Sequence, residues 1–171
     1  MFRLLSILLA LAGLLSSTSG CMEDDDDLEG ASGVAPIELF FNVVDSQTGE
    51  NLLTSADSAR VLPMSVVFCG ETYGYGGRGS SVSGADGKRG SWAQMDGVRA
   101  MVLEDGRKVL RFGAIRGDVS YDREQVVLNW ADGSVDIVEL TNSVAGGGES
   151  VVRSFRLNGE EVYTTVFVLK K

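Results

Sequence analysis

The sequence predicts an all-β protein: an antiparallel β-sandwich of the immunoglobulin-like kind, with about eight to ten strands. Asp-Gly or Asn-Gly pairs recur between apolar runs, and apolar and polar residues alternate along those runs. No window after residue 20 shows the periodicity of a capped helix. A related antiparallel barrel fits the same strand count and spacing.

The folded part is predicted to begin with a buried strand at Ile37–Val44, which is β-branched and aromatic on both alternating faces. Residues 45–51 contain Asp, Ser, Gly and Asn, so they are predicted to form a turn. A second apolar run covers residues 60–69, where Pro63 places the start at a sheet edge or a bulge.

Three hairpins are predicted in the second half of the chain. Each is centred on a dipeptide that suits the two positive φ angles of a type I′ turn. The flanking strands are 98–104 with 107–115 around Asp105-Gly106, 125–130 with 134–140 around Asp132-Gly133, and 151–157 with 161–169 around Asn158-Gly159.

Alternation along these strands predicts which side chains face the core. Val126, Leu128 and Trp130 share one side and polar residues occupy the other, as in a half-solvated antiparallel strand. Residues 161–169 carry apolar groups on both faces, so that strand is predicted to lie inside a sheet. Trp92 and Trp130 are interpreted as core or half-core aromatics rather than ligand platforms.

The first 20 residues are predicted to be a secretory signal peptide. Arg3 is their only charge, an apolar stretch of about a dozen residues follows, and small residues precede Cys21. A membrane-spanning helix needs roughly 20 apolar residues, so this stretch is too short. The predicted organisation is a signal peptide at 1–20, a flexible tether at 21–35 and a β-sandwich domain at 36–171.

Cys21 resembles the lipidated cysteine of bacterial lipoproteins, because Ser19 and Gly20 precede it at the end of the signal. The resemblance implies diacylglycerol on the Cys21 thiol, cleavage before Cys21 and acylation, for example by palmitate, of the new amino group. Thr18 departs from the leucine that is usual in that family. The alternative for an exported chain is one disulfide with Cys69. With Cys21 lipidated, Cys69 is predicted to be an unpaired, buried small side chain.

An acidic run follows Cys21 and is predicted to be a solvated tail. It consists of Glu23, Asp24, Asp25, Asp26 and Asp27. An acidic run just after the lipidated cysteine resembles the surface-export signal of lipoproteins from Bacteroidetes-type bacteria. That resemblance implies a lipid-anchored protein of the outer membrane, exposed on the cell surface. The simpler interpretation is a spacer.

Charge and residue content exclude several classes of function. The formal net charge of -9 disfavours nucleic acid as a partner. The chain has no histidine, which removes Ser-His-Asp catalysis and His-ligated zinc. No glycine pattern suits nucleotide binding. The prediction is a non-enzyme without cofactor or metal, although 24 acidic residues leave a carboxylate-dependent hydrolase as a minor alternative.

The segment 73–90 is an unusual Gly- and Ser-rich stretch with two tyrosines and three cations. The simplest interpretation is a flexible connection between strands. The alternative is a recognition loop, because Tyr and Arg offer contact area while Gly and Ser let the backbone adapt. Its candidate binding residues are Tyr73, Tyr75, Arg78, Lys88 and Arg89.

Most of the chain after residue 20 also resembles small Bacteroidetes-type lipoproteins of unknown function. The resemblance rests on Phe-Phe-Asn-Val-Val-Asp at 40–45, Thr-Gly-Glu-Asn-Leu-Leu at 48–53, Val-Leu-Asn-Trp-Ala-Asp-Gly-Ser at 127–134 and Phe-Arg-Leu-Asn-Gly-Glu at 155–160. It implies one β domain on a lipid tether with no catalytic residues. The leading hypothesis is therefore a non-catalytic binding module for a protein or a glycan. A structural subunit of an envelope assembly is the alternative.

Overall fold

The computed structural model describes residues 33–62, 64–76 and 96–171. Over these residues the chain forms ten strands, two short 3₁₀ helices at Ala56–Arg60 and Gly146–Gly148, and no α-helix. Within the same ranges no helix is long and apolar enough to cross a membrane. The strands are β1 (Ile37–Val44), β2 (Ser65–Phe68), β3 (Glu71–Gly74), β4 (Asp96–Val102), β5 (Lys108–Ile115), β6 (Tyr121–Asn129), β7 (Val135–Ala145), β8 (Ser150–Leu157), β9 (Glu160–Val162) and β10 (Val166–Lys170).

The strands form two sheets around one apolar core. The four-stranded sheet has the order β10-β1-β5-β4, and the six-stranded sheet has the order β3-β2-β6-β7-β8-β9. Buried residues from both sheets belong to a single cluster. Aromatic pairs join the sheets: the rings of Phe68 and Phe112 lie 6.3 Å apart and those of Phe155 and Phe167 5.9 Å apart. The predicted all-β sandwich is confirmed.

The inner faces follow the predicted alternation. Val126 and Leu128 are fully buried and Trp130 is 4% exposed, which confirms the side of β6 that faces the core. Trp92 lies outside the described residues. β1 has the predicted bounds, and its inward residues Leu39 and Phe41 are fully buried.

Two of the three hairpin turns differ from the predicted type. Asn158 (φ 50°) and Gly159 (φ 87°) both have positive φ, which confirms a type I′ turn at that hairpin. At 105–106 and 132–133 only the glycine has positive φ. Leu103 N donates to Arg107 O at 2.9 Å, which closes a three-residue loop. There the prediction of type I′ is wrong, because Asp-Gly also fits a type I turn followed by a left-handed glycine.

A fourth hairpin joins β2 to β3 and was not predicted. Its turn is Cys69-Gly70, whose φ angles of 48° and 78° are those of a type I′ turn. Phe68 and Glu71 pair directly across it. A cysteine at a positive φ carries no usual turn signal, so the sequence was interpreted as an apolar run continuing to Cys69.

The final predicted strand is split between the sheets. β9 pairs with β8 at one edge of the six-stranded sheet, whereas β10 pairs with β1 at one edge of the four-stranded sheet. The prediction of one strand inside a sheet over 161–169 is therefore wrong. β10 runs parallel to β1, because it arrives from the opposite sheet rather than through a tight hairpin. This pairing is an exception to the predicted antiparallel arrangement.

Candidate functional site

The outer face of the six-stranded sheet carries a row of polar side chains that runs from β6 to the edge strand β9. The strand register places Gln125 opposite Glu139, Glu139 opposite Arg156, and Arg156 opposite Glu161. Thr141 and Ser154 form the neighbouring pair on β7 and β8. Since side chains alternate between the faces of a strand, these groups point away from the core that their neighbours fill.

All of these side chains except Gln125 line an open groove with a volume of about 400 Å³. That volume lies at the lower end of the roughly 300–1,000 Å³ typical of small-ligand sites. We call it the outer-face groove. Its lining residues are Asp122, Arg123, Glu139, Thr141, Ser154, Arg156 and Glu161.

A β-bulge shapes one side of the outer-face groove. The register of β6 against β7 shifts between Tyr121 and Glu124, and Arg123 has a φ of 53°. Its backbone N donates to Thr141 Oγ1 at 3.3 Å. A bulge re-aims side chains, and left-handed backbone at a residue with a Cβ costs about 1–2 kcal/mol. The bulge brings the consecutive residues Asp122 and Arg123 to the same groove.

Glu139 has an unsatisfied oxygen. Its Oε2 atom is buried and has no hydrogen-bond partner among the described residues. The nearest ion-pair partner is Arg156, whose Nη1 lies 3.8 Å away, beyond hydrogen-bonding range. Arg156 instead donates from Nη2 to Gly159 O at 2.6 Å, which draws the guanidinium towards the hairpin turn. The oxygen is closed to solvent, so a bound donor reaches it only when a covering side chain moves aside; leaving such a group unsatisfied typically costs about 1–3 kcal/mol.

Tyr163 stands beside the outer-face groove with its side chain in solvent. It follows β9 at the start of the connection that crosses to β10, and it is 90% exposed. Its hydroxyl donates to Glu161 Oε2 at 2.9 Å. That hydrogen bond to a carboxylate raises the pKa of the Tyr163 phenol above its usual value. The bond also ties the ring to a residue that lines the groove.

The N-terminal end of the described chain is bound to the domain through a buried polar network. Asn142 is fully buried and donates from Nδ2 to Gly117 O and Val119 O, at 3.0 and 2.6 Å. Its Oδ1 accepts from Arg153 Nε at 2.9 Å, and Arg153 Nη2 donates to Ala35 O at 2.8 Å. The last residue of the predicted tether therefore lies against the β5–β6 connection.

The structure describes two of the five candidate residues in the predicted recognition loop. Tyr73 lies in β3 rather than in a loop, and its ring packs 5.4 Å from that of Phe112. Burial raises the pKa of the Tyr73 phenol. Tyr75 forms an isolated bridge with Val98 and is 37% exposed. Arg78, Lys88 and Arg89 lie outside the described residues, so a role for them stays a prediction.

Cys69 corrects the prediction for the cysteines. It sits in the β2–β3 turn, partly buried against the core, and it is disulfide-bonded. The prediction of an unpaired buried cysteine is wrong at this position. The one other cysteine in the chain is Cys21, which lies outside the described residues together with the acidic run at 23–27. A sulfur atom in a disulfide cannot also carry a thioether-linked lipid, so lipid on Cys21 requires Cys69 to be bonded to a cysteine of another molecule.

Sequence reasoning missed the outer-face groove, although the signal was partly visible. Polar residues at alternate positions of β7 and β8 indicate a solvated face. Their alignment depends on strand register, and the Arg123 bulge has no signature in residue types. Within residues 33–62, 64–76 and 96–171, no group of three or more metal-ligating side chains comes together.

Comparison with known proteins yields no relative from which a function could be carried over. No protein-family model, curated protein or solved structure matches the chain.

Proposed function

We propose that this protein is a lipid-anchored protein of the cell envelope, exposed at the surface of the outer membrane. In this proposal it acts as a non-catalytic binding module for a protein or a glycan. The observation that carries the binding role is the outer-face groove, where a buried oxygen of Glu139 lacks a hydrogen-bond donor. The anchor and the surface location are supported by the signal-like residues 1–20, Cys21 and the acidic run.

The anchor is tested by metabolic labelling of cells with a clickable fatty acid. Wild-type protein is expected to take up the label, and Cys21→Ala is expected to lose it and to be released or left unprocessed. Cys69→Ala is the matched control, because it removes the other cysteine while leaving Cys21 in place. An unlabelled wild-type protein whose Cys21 and Cys69 form a disulfide would refute the anchor.

The surface location is tested by protease treatment of intact cells, with a periplasmic protein as the internal control. The domain is expected to be cut while the periplasmic protein survives. Replacing Asp24 to Asp27 with Asn should protect the domain if the acidic run directs export. A charge-matched control replaces four exposed acids with Gln: Glu50, Glu71, Glu104 and Glu160. Survival of the wild-type domain would place it in the periplasm and make the acidic run a spacer.

A structural role in an envelope assembly is the second candidate. β10 lies at the edge of the four-stranded sheet, and among the described strands it pairs only with β1. Val168 on this strand is 51% exposed. An edge strand offers unpaired backbone groups to a partner strand. This role predicts a stable complex in size-exclusion chromatography after gentle detergent extraction, and a monomeric elution volume would contradict it.

A further inference from the structure

We propose that the outer-face groove binds a neutral oligosaccharide, with Glu139 accepting a hydrogen bond from a sugar hydroxyl and Tyr163 packing against a sugar ring. This inference rests on the proposed binding role and names the chemical class of its ligand. It assigns the recognition site to the sheet face instead of the segment 73–90.

The charges of the groove favour a ligand without net charge. Asp122, Glu139 and Glu161 contribute negative charge to the lining, and Arg123 and Arg156 contribute positive charge. An anionic ligand would meet the three carboxylates, and a cationic ligand would meet the two guanidinium groups. Like charges brought together at short range cost free energy. A neutral ligand avoids both penalties and can still hydrogen-bond to each group.

The hydrogen-bonding groups of the groove match those of sugar hydroxyls. Glu139 Oε2 lacks a donor, and a hydroxyl can supply one. Thr141 and Ser154 lie directly opposite each other and carry hydroxyls that donate and accept. Arg156 and Arg123 add N–H donors. A polyhydroxyl ligand, in which each oxygen both donates and accepts, can engage this mixed set without leaving a charge unpaired.

Tyr163 supplies the apolar part of the site. An exposed aromatic ring has a π face that carries partial negative charge, which suits the C–H face of a sugar ring. The Tyr163 side chain is the most exposed of the large hydrophobic residues in the described ranges. Its bond to Glu161 holds the hydroxyl beside the groove, so less side-chain freedom is lost on binding.

The length of the groove fits a chain of sugars rather than a single one. The groove lining runs from Arg123 on β6 to Glu161 on β9 and so spans three strand spacings. At roughly 4.8 Å per spacing, the groove is about 14 Å long.

The test is calorimetric titration of the full-length protein extracted in a polyoxyethylene detergent, which carries no sugar. The probes are hexasaccharides of glucose in α-1,4 and β-1,4 linkage and of mannose, with hexamers of galacturonic acid and glucosamine as the charged comparisons. At least one neutral probe is expected to bind, and more tightly than either charged hexamer. Tyr163→Ala and Glu139→Gln are each expected to weaken that binding about tenfold or more.

Tyr75→Ala is the matched control, because it removes an exposed tyrosine away from the groove and within the predicted recognition loop. It is expected to change affinity less than twofold. Urea unfolding of each variant establishes that the domain is folded. Failure of every neutral probe to bind, tighter binding of a charged hexamer, or a loss on Tyr75→Ala but not on Tyr163→Ala would each overturn the inference.

The outcome is separable from that of the proposed function. Fatty-acid labelling and protease accessibility do not depend on a sugar. If the protein is labelled and surface-exposed but binds no neutral hexasaccharide, the oligosaccharide site is refuted and the anchor and surface location are not. If the protein takes up no fatty acid but binds a neutral hexasaccharide through Tyr163, the oligosaccharide site is supported and the anchor is refuted.

Discussion

The salt bridge between Lys171 and Asp136 is buried at the end of the sandwich that holds the 132–133 and 158–159 turns, and it can be tested by substitution. Lys171 Nζ lies 2.5 Å from Asp136 Oδ2 and 2.9 Å from Ser134 Oγ. The side chains of Lys171 and Asp136 are only 7% and 13% exposed. Trp130 Nε1 also donates to Asp136, at 2.8 Å, and Lys171 Nζ stands 4.8 Å from the centre of the Trp130 ring.

Asp136→Asn is expected to destabilise the domain by about 3 kcal/mol. Removing one partner of a buried ion pair typically costs about 3–5 kcal/mol, because the remaining charge is left without a counter-ion. The lower end applies here, since the amide can still accept a hydrogen bond and the Trp130 ring still faces the ammonium group. Lys171→Met should cost less, about 1–2 kcal/mol. Its thioether chain still packs on Trp130, and Asp136 keeps the N–H donors of Trp130 and Asn158.

Equilibrium unfolding in urea provides the measurement. With a slope of about 2 kcal/mol per molar urea, a loss of 3 kcal/mol lowers the midpoint by about 1.5 M. In the Lys171→Met background, Asp136→Asn should cost about 1 kcal/mol or less, because no charge remains to be stranded. This account of the pair would be refuted if Asp136→Asn cost the same free energy of unfolding in both backgrounds. It would also be refuted if the urea midpoint of Asp136→Asn lay within about 0.3 M of the wild-type midpoint.

Three further predictions follow from other parts of the chain. The pKa of Asp45 is lowered from 3.8 to about 2, mainly by backbone N–H donors of its own turn, so NMR titration should give a value near 2. Its stabilising contribution is complete above pH 4 and disappears as the pH falls towards 2. Gly117→Ala should cost about 1–3 kcal/mol in urea unfolding, because a Cβ would overlap Ala35 O. The intact mass of the protein should show lipid on Cys21 that survives reduction, in place of a disulfide to Cys69.

Each of these three predictions has a control variant or an outcome that would contradict it. Asp45→Asn should flatten the acid limb of the stability curve, and an unchanged limb would contradict the assignment. Gly133→Ala is a comparison for Gly117→Ala: its φ is 81° but nothing lies within 4 Å of a Cβ, so its cost comes from the backbone alone. A Gly117→Ala variant as stable as the wild type would show that Ala35 can move away. A mass decrease after Cys21→Ala that equals the side-chain difference alone would exclude the lipid.

Local patterns predicted much of the fold, because strand formation and tight turns depend on neighbouring residues. β1 has the predicted bounds, and β6 turns the predicted side to the core. The Asn158-Gly159 turn has the predicted type, since its two residues tolerate positive φ. The Cys69-Gly70 turn was missed because its first residue usually avoids that conformation. The division of 161–169 into β9 and β10 was missed because a change of sheet leaves no change in residue type.

The candidate site was less predictable than the fold. Polar residues at alternating positions mark β7 and β8 as half-solvated, but many solvated faces look the same in sequence. The row from Gln125 to Glu161 exists only because three strand pairings share one register. A one-residue slip in any of these pairings would send its side chains to the other face. The unsatisfied oxygen of Glu139 depends further on Arg156 turning towards Gly159.

The sequence alone therefore determined the class of the fold, the strands that form hairpins and the side of β6 that faces the core. These properties follow from chain-local chemistry: side-chain alternation, β-branched content and the φ preferences of turn residues. Tertiary structure decided that β10 leaves the six-stranded sheet to run parallel to β1, that Tyr73 packs on Phe112, and that the outer-face groove forms at all. These features join residues that are distant in the chain, and their relative positions follow from register and sheet packing, which residue types leave open.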